Sequence, residues 1–160
     1  WVRSEGIHLT LKFLGDTPKE KVPTITEALT IVGQNAPSCT LIAEGLGCFP
    51  NLRRPRVLWV GVTGPTGRLE ALQKAIEEAM TSLGYKPERH SFTPHLTLGR
   101  VRRGTSRRDE REIAEAIERT RVDQLAEFTT DRFELIRSDL KPTGAEYTTL
   151  EVFLLQGGRA

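Results

Sequence analysis

Ile7-His8-Leu9-Thr10-Leu11-Lys12-Phe13 and Phe92-Thr93-Pro94-His95-Leu96-Thr97-Leu98-Gly99 carry the same motif, His-Leu-Thr-Leu, at two places in the chain. Both segments alternate apolar and polar side chains. Strict alternation is typical of a half-buried strand, because successive side chains point to opposite faces of the sheet. In each copy the histidine and the threonine therefore share one face, and the two leucines share the other. We predict two strands, each burying its leucines and presenting an imidazole beside a hydroxyl.

Helical and strand patterns are mixed along the rest of the chain. Residues 68–83 carry the apolar stripe of an amphipathic helix, formed by Leu69, Leu72, Ile76 and Met80. We predict further helices over residues 23–34 and 106–120, strands over residues 39–44, 56–62, 128–137 and 148–155, a loop over residues 45–55, and hairpin-type turn residues at 141–144. Because several strands have one polar face, the pattern favours an α+β fold with antiparallel sheet.

Composition restricts the class of protein. The chain has 160 residues, of which 38% are hydrophobic and 28% charged, the balance of one compact domain. It has no run of the ~18 apolar residues that a membrane-spanning helix needs, and its first residues lack the pattern of a secretory leader. Cys39 and Cys48 fit no metal-binding spacing and make no disulfide framework. We therefore predict a cytoplasmic protein.

Arginine dominates the basic residues. Of 23 lysines and arginines, 17 are arginines, whose planar guanidinium groups match phosphate oxygens in a bidentate way. Two clusters stand out, one of Arg53, Arg54 and Arg56 and one of Arg100, Arg102, Arg103, Arg107 and Arg108. The clusters indicate a phosphate-bearing partner, and a solvated basic loop is the alternative for the outer members of each.

The duplicated histidines suit phosphodiester cleavage without a metal. When water opens a 2′,3′-cyclic phosphate, the water must lose a proton and the departing ribose oxygen must gain one. A neutral imidazole takes the first proton and an imidazolium supplies the second, and histidine reaches both forms near neutral pH. We predict that His8 and His95 are this acid–base pair. Thr10 and Thr97 would donate to the non-bridging phosphate oxygens, and Arg100 would help neutralise their charge.

One His-x-Thr segment alone is weak evidence, because half-buried strands often carry polar outer faces. Two copies in matching strands indicate an internal duplication. The duplication predicts a pseudo-two-fold fold in which each of two lobes contributes one histidine to a central cleft. The third histidine, His90, has no threonine two positions later, and we interpret it as a surface residue.

The repeat and its flanking residues resemble a known family. Trp1-Val2-Arg3 precedes His8-Leu9-Thr10-Leu11-Lys12-Phe13-Leu14-Gly15, and Arg56-Val57-Leu58-Trp59-Val60-Gly61-Val62 lies between the motifs. Arg100 follows the second motif directly, and Glu134-Leu135-Ile136-Arg137-Ser138 comes near the end. These segments, which span nearly the whole chain, are similar to bacterial and archaeal RNA 2′,3′-cyclic phosphodiesterases. Those proteins, also called 2′-5′ RNA ligases, belong to the two-histidine phosphoesterase superfamily.

The resemblance implies a bilobal fold with an antiparallel sheet in each lobe, helices outside, and the two histidines facing each other across a central cleft. It implies hydrolysis of RNA 2′,3′-cyclic phosphate ends to 2′-phosphomonoesters without a metal or other cofactor. It also implies ATP-independent formation of 2′-5′ linkages by the reverse chemistry. His8 would be the proton donor and His95 the proton acceptor, an order that the residues alone leave open.

The expected partner is RNA or an oligonucleotide with a 2′,3′-cyclic phosphate end, and we expect a monomer that does not bind membranes. We assign four substrate-binding residues besides the two motifs. Arg100 and Arg56 would contact phosphate, and Phe49 and Tyr147 would stack on bases.

We interpret residues 1–160 as a single two-lobed domain that lacks an N-terminal strand and helix. A predicted strand and helix, residues 56–62 and 68–83, precede His95, whereas few residues precede His8. A genuinely shorter first lobe would leave a sheet edge unpaired. We favour the alternative, a sequence that starts inside the domain.

Two other functions compete with this interpretation. A non-catalytic RNA- or nucleotide-binding module would use the arginine clusters together with Phe49, Trp59 and Tyr147. Trp59, however, lies in an apolar strand and is predicted to be core, and binding alone gives no reason for paired histidines. A zinc hydrolase would need all three histidines in tight geometry, and neither motif supplies a neighbouring carboxylate.

Overall fold

The computed structural model describes residues 1–141 and 144–156. Its α-helices are α1 (Val22–Asn35), α2 (Gly67–Ser82) and α3 (Arg107–Arg119). Its strands are β1 (Cys39–Phe49), β2 (Val57–Thr63), β3 (His95–Arg100), β4 (Ala126–Thr130), β5 (Arg132–Lys141) and β6 (Gly144–Leu154). The predicted α+β class is confirmed. Each predicted helix boundary lies within one residue of the observed one.

Contacts divide the chain into two compact units. The first comprises Trp1–Thr10, Ile42–Gly64 and Pro94–Phe128. The second comprises Leu11–Leu41, Pro65–Thr93 and Thr129–Ala160, as far as its residues are described. Both histidines of the duplicated motif therefore belong to the first unit, whereas the sequence assigned one to each lobe. Both histidines fall into one unit because the N-terminal residues bond to the strand that carries the second motif.

The second unit has its core between helices and a hairpin. The predicted apolar stripe of α2 is buried, and its members Leu72, Ile76 and Met80 pack with Ile25 and Leu29 of α1. The hairpin of β5 and β6 is antiparallel and contributes Phe133 and Phe153, whose rings stack with centroids 4.9 Å apart. Burying one phenylalanine side chain stabilises the fold by about 1.5–3 kcal/mol. The burial of these rings and of the apolar stripe therefore holds the amphipathic helices in place.

A partly buried ion pair ties the segment after the first motif to α2. The Nζ atom of Lys12 lies 2.8 Å from each carboxylate oxygen of Glu77, and the two side chains are only 2% and 19% exposed. The backbone N–H of Glu88 also donates to Glu77, at 2.9 Å. Burial by itself would raise the pKa of Glu77, but these hydrogen bonds and the charge of Lys12 outweigh it and hold that pKa below its usual value.

The other sheet has four strands in the order β3-β2-β1-β4. The apolar strand β2 pairs antiparallel with β1 on one side and with β3 on the other. This register sets Trp59 of β2 opposite both Gly47 and Thr97. It also sets Gly61 of β2 opposite His95. The second motif therefore lies directly beside β2.

β1 is longer than the sequence predicted. We expected the strand to end at Glu44 and a loop to follow, because Gly45 and Gly47 are typical loop residues, yet β1 continues to Phe49. Gly45 has φ of +70° and sits at a shift of register against β2, which is the geometry of a β-bulge with a left-handed glycine. Gly47 leaves room for an aromatic ring of β2. The two glycines therefore shape the strand instead of ending it.

The predicted strand over residues 128–137 is in fact two strands. β4 ends at Thr130 and β5 begins at Arg132, and the carbonyl of Asp131 between them accepts a hydrogen bond from the N–H of Leu155 at 2.8 Å. The chain leaves one sheet and enters the other at this point. β6 starts at Gly144, earlier than predicted, because its ladder with β5 extends to that residue. Residues 142–143 of the predicted turn lie outside the described residues.

The predicted strand over residues 7–13 is wrong. Leu9 makes one isolated antiparallel bridge with Leu96 of β3. Further along the same edge of β3, the Leu98 carbonyl accepts a hydrogen bond from the N–H of Val2 at 2.8 Å. Between these two contacts the chain turns through the 3₁₀ segment Ser4–Gly6. Two short segments thus share one edge of β3, and no continuous strand forms along it in the part of the chain that the structure describes.

Candidate active site

The isolated bridge joins the leucines at the centres of the two motifs. Residues on either side of an antiparallel bridge oppose one another in reverse order, so His8 lies opposite Thr97 and Thr10 lies opposite His95. Each histidine therefore stands beside the threonine of the other motif. The two histidines are diagonal neighbours, a relationship that corresponds to a Cα separation of about 7–8 Å.

This register brings the four polar residues of the motifs onto one face. Directly opposed residues of an antiparallel pair project to the same side, and alternate residues along each segment do so as well. His8, His95 and Thr97 are half-buried, and Thr10 is exposed. The register therefore places two imidazoles and two hydroxyls on one face.

The 3₁₀ turn ahead of the first motif orients its imidazole. The Nδ1 atom of His8 lies 2.8 Å from the carbonyl oxygen of Gly6. A carbonyl oxygen only accepts hydrogen bonds, so Nδ1 carries the hydrogen and Nε2 is the nitrogen that gains or loses a proton. The Gly6 carbonyl thus fixes both the tautomer and the direction of the ring.

Two aromatic rings frame the second histidine. The ring of Phe49, at the end of β1, meets His95 edge to face with centroids 4.9 Å apart. The ring of Trp59 lies 6.1 Å from His95 and 5.3 Å from Phe49. Trp59 reaches this place because its ring lies over Gly47, where an added Cβ would be 2.2 Å from the indole. Any larger residue there would displace the indole.

Trp59 is a site residue that sequence reasoning missed. We predicted it as core, because apolar residues surround it in the chain. Val60 and Val62, however, are 4% exposed and alternate with Trp59 and Gly61, which are half-buried. Trp59 therefore lies on the opposite face of β2 from the two valines. The signal in the sequence is the alternation along the strand. Trp59 is an odd number of residues from both Val60 and Val62, so its side chain points to the other face of β2.

The guanidinium of Arg56 is directed to α3. Its Nη2 atom lies 2.8 Å from Oε1 of Glu110, a buried residue in the first turn of that helix. The backbone N–H of Arg56 donates to the carbonyl of Phe49 at 2.7 Å. Arg56 is thus joined to the aromatic frame through its backbone, while its side chain makes an ion pair elsewhere.

The other residues that the sequence singled out lie on different elements. Arg100 is exposed at the end of β3, opposite Val57. Tyr147 is exposed on β6, in the second unit. Thr93 precedes β3, which begins at His95 and not at residue 92 because Pro94 has no N–H for a ladder. His90 is exposed, as predicted for a surface residue.

Within residues 1–141 and 144–156, no three His, Cys, Asp or Glu side chains are grouped so that they could hold a metal ion. None of the helices in this part of the chain combines the length and the apolar character needed to cross a membrane.

Comparisons with known proteins agree with one another. A family model described as the 2′-5′ RNA ligase superfamily matches residues 2–142. A curated relative from Methanothermobacter thermautotrophicus, named RNA 2′,3′-cyclic phosphodiesterase, is 35% identical over 97% of this chain and 82% of its own length.

A crystal structure of a Thermus thermophilus protein has 28% identity and a TM-score of 0.76, over 99% of this chain and 82% of that one. A crystal structure of Escherichia coli LigT complexed with 3′-AMP has 25% identity and a TM-score of 0.71, over 96% of this chain and 79% of that one.

Proposed function

Because this chain belongs to the 2′-5′ RNA ligase superfamily, we propose that it hydrolyses 2′,3′-cyclic phosphodiester ends of RNA to 2′-phosphomonoesters, with His8 and His95 as its acid–base pair. The relatives named RNA 2′,3′-cyclic phosphodiesterase support the hydrolase role. The assignment of residues rests on one observation, the bridge between Leu9 and Leu96. Through its register, both histidines share a face and each has a threonine of the other motif beside it.

In the proposed reaction, a water oxygen attacks phosphorus on the side opposite O3′. His95 accepts a proton from the water, the P–O3′ bond breaks, and His8 donates a proton to O3′, which leaves as a hydroxyl. One P–O bond forms for each one broken, and the phosphate remains on O2′. Proton exchange with solvent returns both imidazoles to their starting forms, so the cycle needs no added reductant, oxidant or nucleotide.

The contact of His8 with Gly6 supports this role. Since Nδ1 already donates to the carbonyl at 2.8 Å, the proton delivered to O3′ comes from Nε2. The turn Ser4–Gly6 therefore aims the proposed acid at the leaving oxygen.

The threonines would stabilise charge on the phosphate. Negative charge grows on the non-bridging oxygens as water adds to phosphorus, and a hydroxyl donor placed beside those oxygens lowers the barrier. Thr97 stands opposite His8, and Thr10 stands opposite His95. A phosphate held between the two histidines would therefore meet one hydroxyl beside each ring.

Ligand recognition and ligation are further parts of the proposal. The 3′-AMP bound by the Escherichia coli neighbour supports a nucleotide as the ligand here, with Phe49 and Tyr147 stacking on bases. Arg100, five residues along β3 from His95, would contact a phosphate other than the one that reacts. Ligation would use the same groups, with a ribose 5′-hydroxyl in place of water, and would give a 2′-5′ linkage without ATP. The cytoplasmic location, the monomeric state and the domain interpretation stay predictions.

Incubation of the purified protein with adenosine 2′,3′-cyclic phosphate tests the proposal. We expect adenosine 2′-phosphate as the product, with equal rates in excess EDTA and in the absence of ATP. The 3′-phosphate as the main product would contradict the direction of bond cleavage. Loss of activity on chelation, restored by zinc, would replace the two-histidine mechanism with a metal-dependent one.

A further inference from the structure

A cavity of about 830 Å³ lies in the first unit, between α3 and the loop that connects β1 to β2. Its lining is unusually rich in arginine, and the described residues that line it include Arg53, Arg54, Arg56, Arg107 and Arg111. They come from the two arginine clusters of the sequence and from the next turn of α3. The fold thus brings into one cavity charges that lie some fifty residues apart in the chain.

One carboxylate, that of Glu110, also lines this cavity. It is buried, at 8% exposure, and it is paired with Arg56 at 2.8 Å. A single negative charge among these guanidinium groups leaves the cavity strongly positive. Glu110 therefore fixes the position of Arg56 without neutralising the cavity.

Arg56 is held in place by this ion pair, and its Nη1 atom is buried without a hydrogen-bond partner in the part of the chain that the structure describes. That atom is therefore out of reach of a ligand in the cavity. The other four arginines of the lining are exposed, and their guanidinium groups are the donors that an anion in the cavity would meet.

The cavity lies at a distance from the histidines. Arg56 precedes β2 and is five residues from Gly61, the residue opposite His95, which corresponds to about 16 Å along the strand. An anion held there is therefore not the phosphate that reacts. Among the described residues, the lining includes no aromatic side chain, so the cavity is suited to a backbone phosphate and not to a base.

We propose that this cavity binds a phosphodiester group of the RNA backbone, on the 5′ side of the cyclic phosphate end. The bidentate geometry of arginine fits phosphate oxygens, and backbone contacts position a strand without reading its sequence. The enzyme then prefers an RNA chain over a mononucleotide, whatever its bases. This inference rests on the proposed function, because it takes the cyclic end to react at the histidines.

The test compares two double variants of α3 that remove equal charge. R107Q/R111Q removes two arginines that line the cavity. R108Q/R119Q removes two arginines of the same helix that pair with Glu112 and Glu115 outside the lining. For each protein, kcat/KM is measured on adenosine 2′,3′-cyclic phosphate and on an RNA decamer with a 2′,3′-cyclic phosphate end. We expect the ratio of decamer to mononucleotide to fall about tenfold in R107Q/R111Q, as expected when charged hydrogen bonds are removed, and to change less than about twofold in R108Q/R119Q.

A binding measurement keeps the inference separate from the proposed function. The anisotropy of a fluorescein-labelled RNA decamer with a 3′-phosphate reports affinity without turnover. A plot of log Kd against the logarithm of the salt concentration should be steeper for wild type than for R107Q/R111Q. The two slopes should differ by about 0.7 for each phosphate that the variant no longer neutralises. If wild type cleaves neither substrate, the proposed function fails, and this binding measurement alone decides whether the cavity binds RNA.

If RNA binding is weakened equally in both double variants, or in neither, the inference is overturned. Loss of inorganic phosphate binding in R107Q/R111Q with RNA affinity unchanged would also overturn it, in favour of a free-anion site.

Discussion

Leu9 and Leu96 form the antiparallel bridge at the centre of the two motifs. A rotation of 180° about an axis through this bridge exchanges the backbone positions of the two histidines. The same rotation exchanges the positions of the two threonines. The surroundings of the two rings nevertheless differ. His8 is held by a carbonyl oxygen, whereas His95 is held by the rings of Phe49 and Trp59. The bridge therefore relates two imidazoles that have different neighbours.

Replacing either histidine should abolish most of the turnover. His8→Ala and His95→Ala are each expected to lower kcat by about 10²–10⁴-fold, the usual contribution of a positioned acid or base. The affinity for a nucleotide that is not cleaved should change much less, because the imidazoles act mainly on the protons that are transferred during the reaction. Initial rates on adenosine 2′,3′-cyclic phosphate and equilibrium binding of adenosine 2′-phosphate measure the two effects.

His90→Ala is the matched control, because His90 is exposed and belongs to neither motif. Its kcat should equal that of wild type within about twofold. Wild-type rates in both motif variants would show that the duplicated histidines do not act in catalysis. RNA binding without any turnover in wild type would favour the binding module instead.

The rate should depend on pH in a bell shape. One histidine has to be neutral and the other protonated, so the active form is lost at both ends of the range, with apparent constants that belong to the pair. The profile of kcat/KM between about pH 4 and 9 tests this expectation in wild type. Each alanine variant should lose the limb that its missing imidazole supplies. A profile with both limbs intact in His8→Ala would assign the acid to another residue.

Gly47→Ala should displace the indole beside the second histidine. The new Cβ would lie 2.2 Å from Trp59, and relief of such overpacking typically costs about 1–3 kcal/mol. We expect a lower free energy of unfolding by that amount, a changed near-ultraviolet circular dichroism spectrum, and reduced kcat. Gly67→Ala serves as the control, since nothing lies within 4 Å of a Cβ added there. Equal spectra for Gly47→Ala and wild type would contradict the close approach.

The partly buried ion pair predicts unequal costs for its two partners. Glu77→Gln should destabilise the protein by about 1.5–3 kcal/mol, because it removes the counter-charge of the nearly inaccessible Lys12 ammonium, which keeps only its bond to the Lys86 carbonyl. Lys12→Met should cost less, because Glu77 is more exposed and keeps the bond from the Glu88 N–H. Urea unfolding at pH 7 measures both values.

Lys74→Met provides the surface comparison on the same helix. Its pair with Glu78 has side-chain exposures of 78% and 69%, so we expect a loss of at most about 0.5 kcal/mol. If Glu77→Gln cost no more than this, the Lys12 pair would be equivalent to a surface contact.

Acid should remove the contribution of Glu77. The folded-state pKa of Glu77 is below its usual value, so the carboxylate contributes stability at a pH above its ordinary value of about 4.3, and the contribution fades as pH falls through the lower folded pKa. The difference in unfolding free energy between wild type and Glu77→Gln should therefore shrink between about pH 5 and pH 3. A difference that stays constant over this range would place the origin of the stabilisation elsewhere.

Local patterns predicted the helices and most of the central strands, because the apolar stripe of α2 and the apolar run of β2 depend on nearby residues. The segment at residues 7–13 alternates just as strictly, yet its backbone makes only one bridge among the described residues. On one side of that bridge Val2 bonds to the Leu98 carbonyl, the position opposite Ile7, and on the other side β3 ends at His95. Such competition for a sheet edge involves distant residues and is invisible to a local pattern. The sequence identified the motifs, but we interpreted Trp59 as core, although its alternation with the buried Val60 and Val62 along β2 indicates the opposite face.

The contacts along β3 also bear on how the protein behaves at high concentration. An open strand edge is a template for pairing with another molecule and a common start of aggregation. Here Val2 covers the Leu98 carbonyl and Leu9 covers Leu96, so the segment that brings in His8 also shields this edge from other chains. Changes that loosen this segment should therefore reduce colloidal stability as well as activity, which links the solubility of the protein to the integrity of its catalytic motifs.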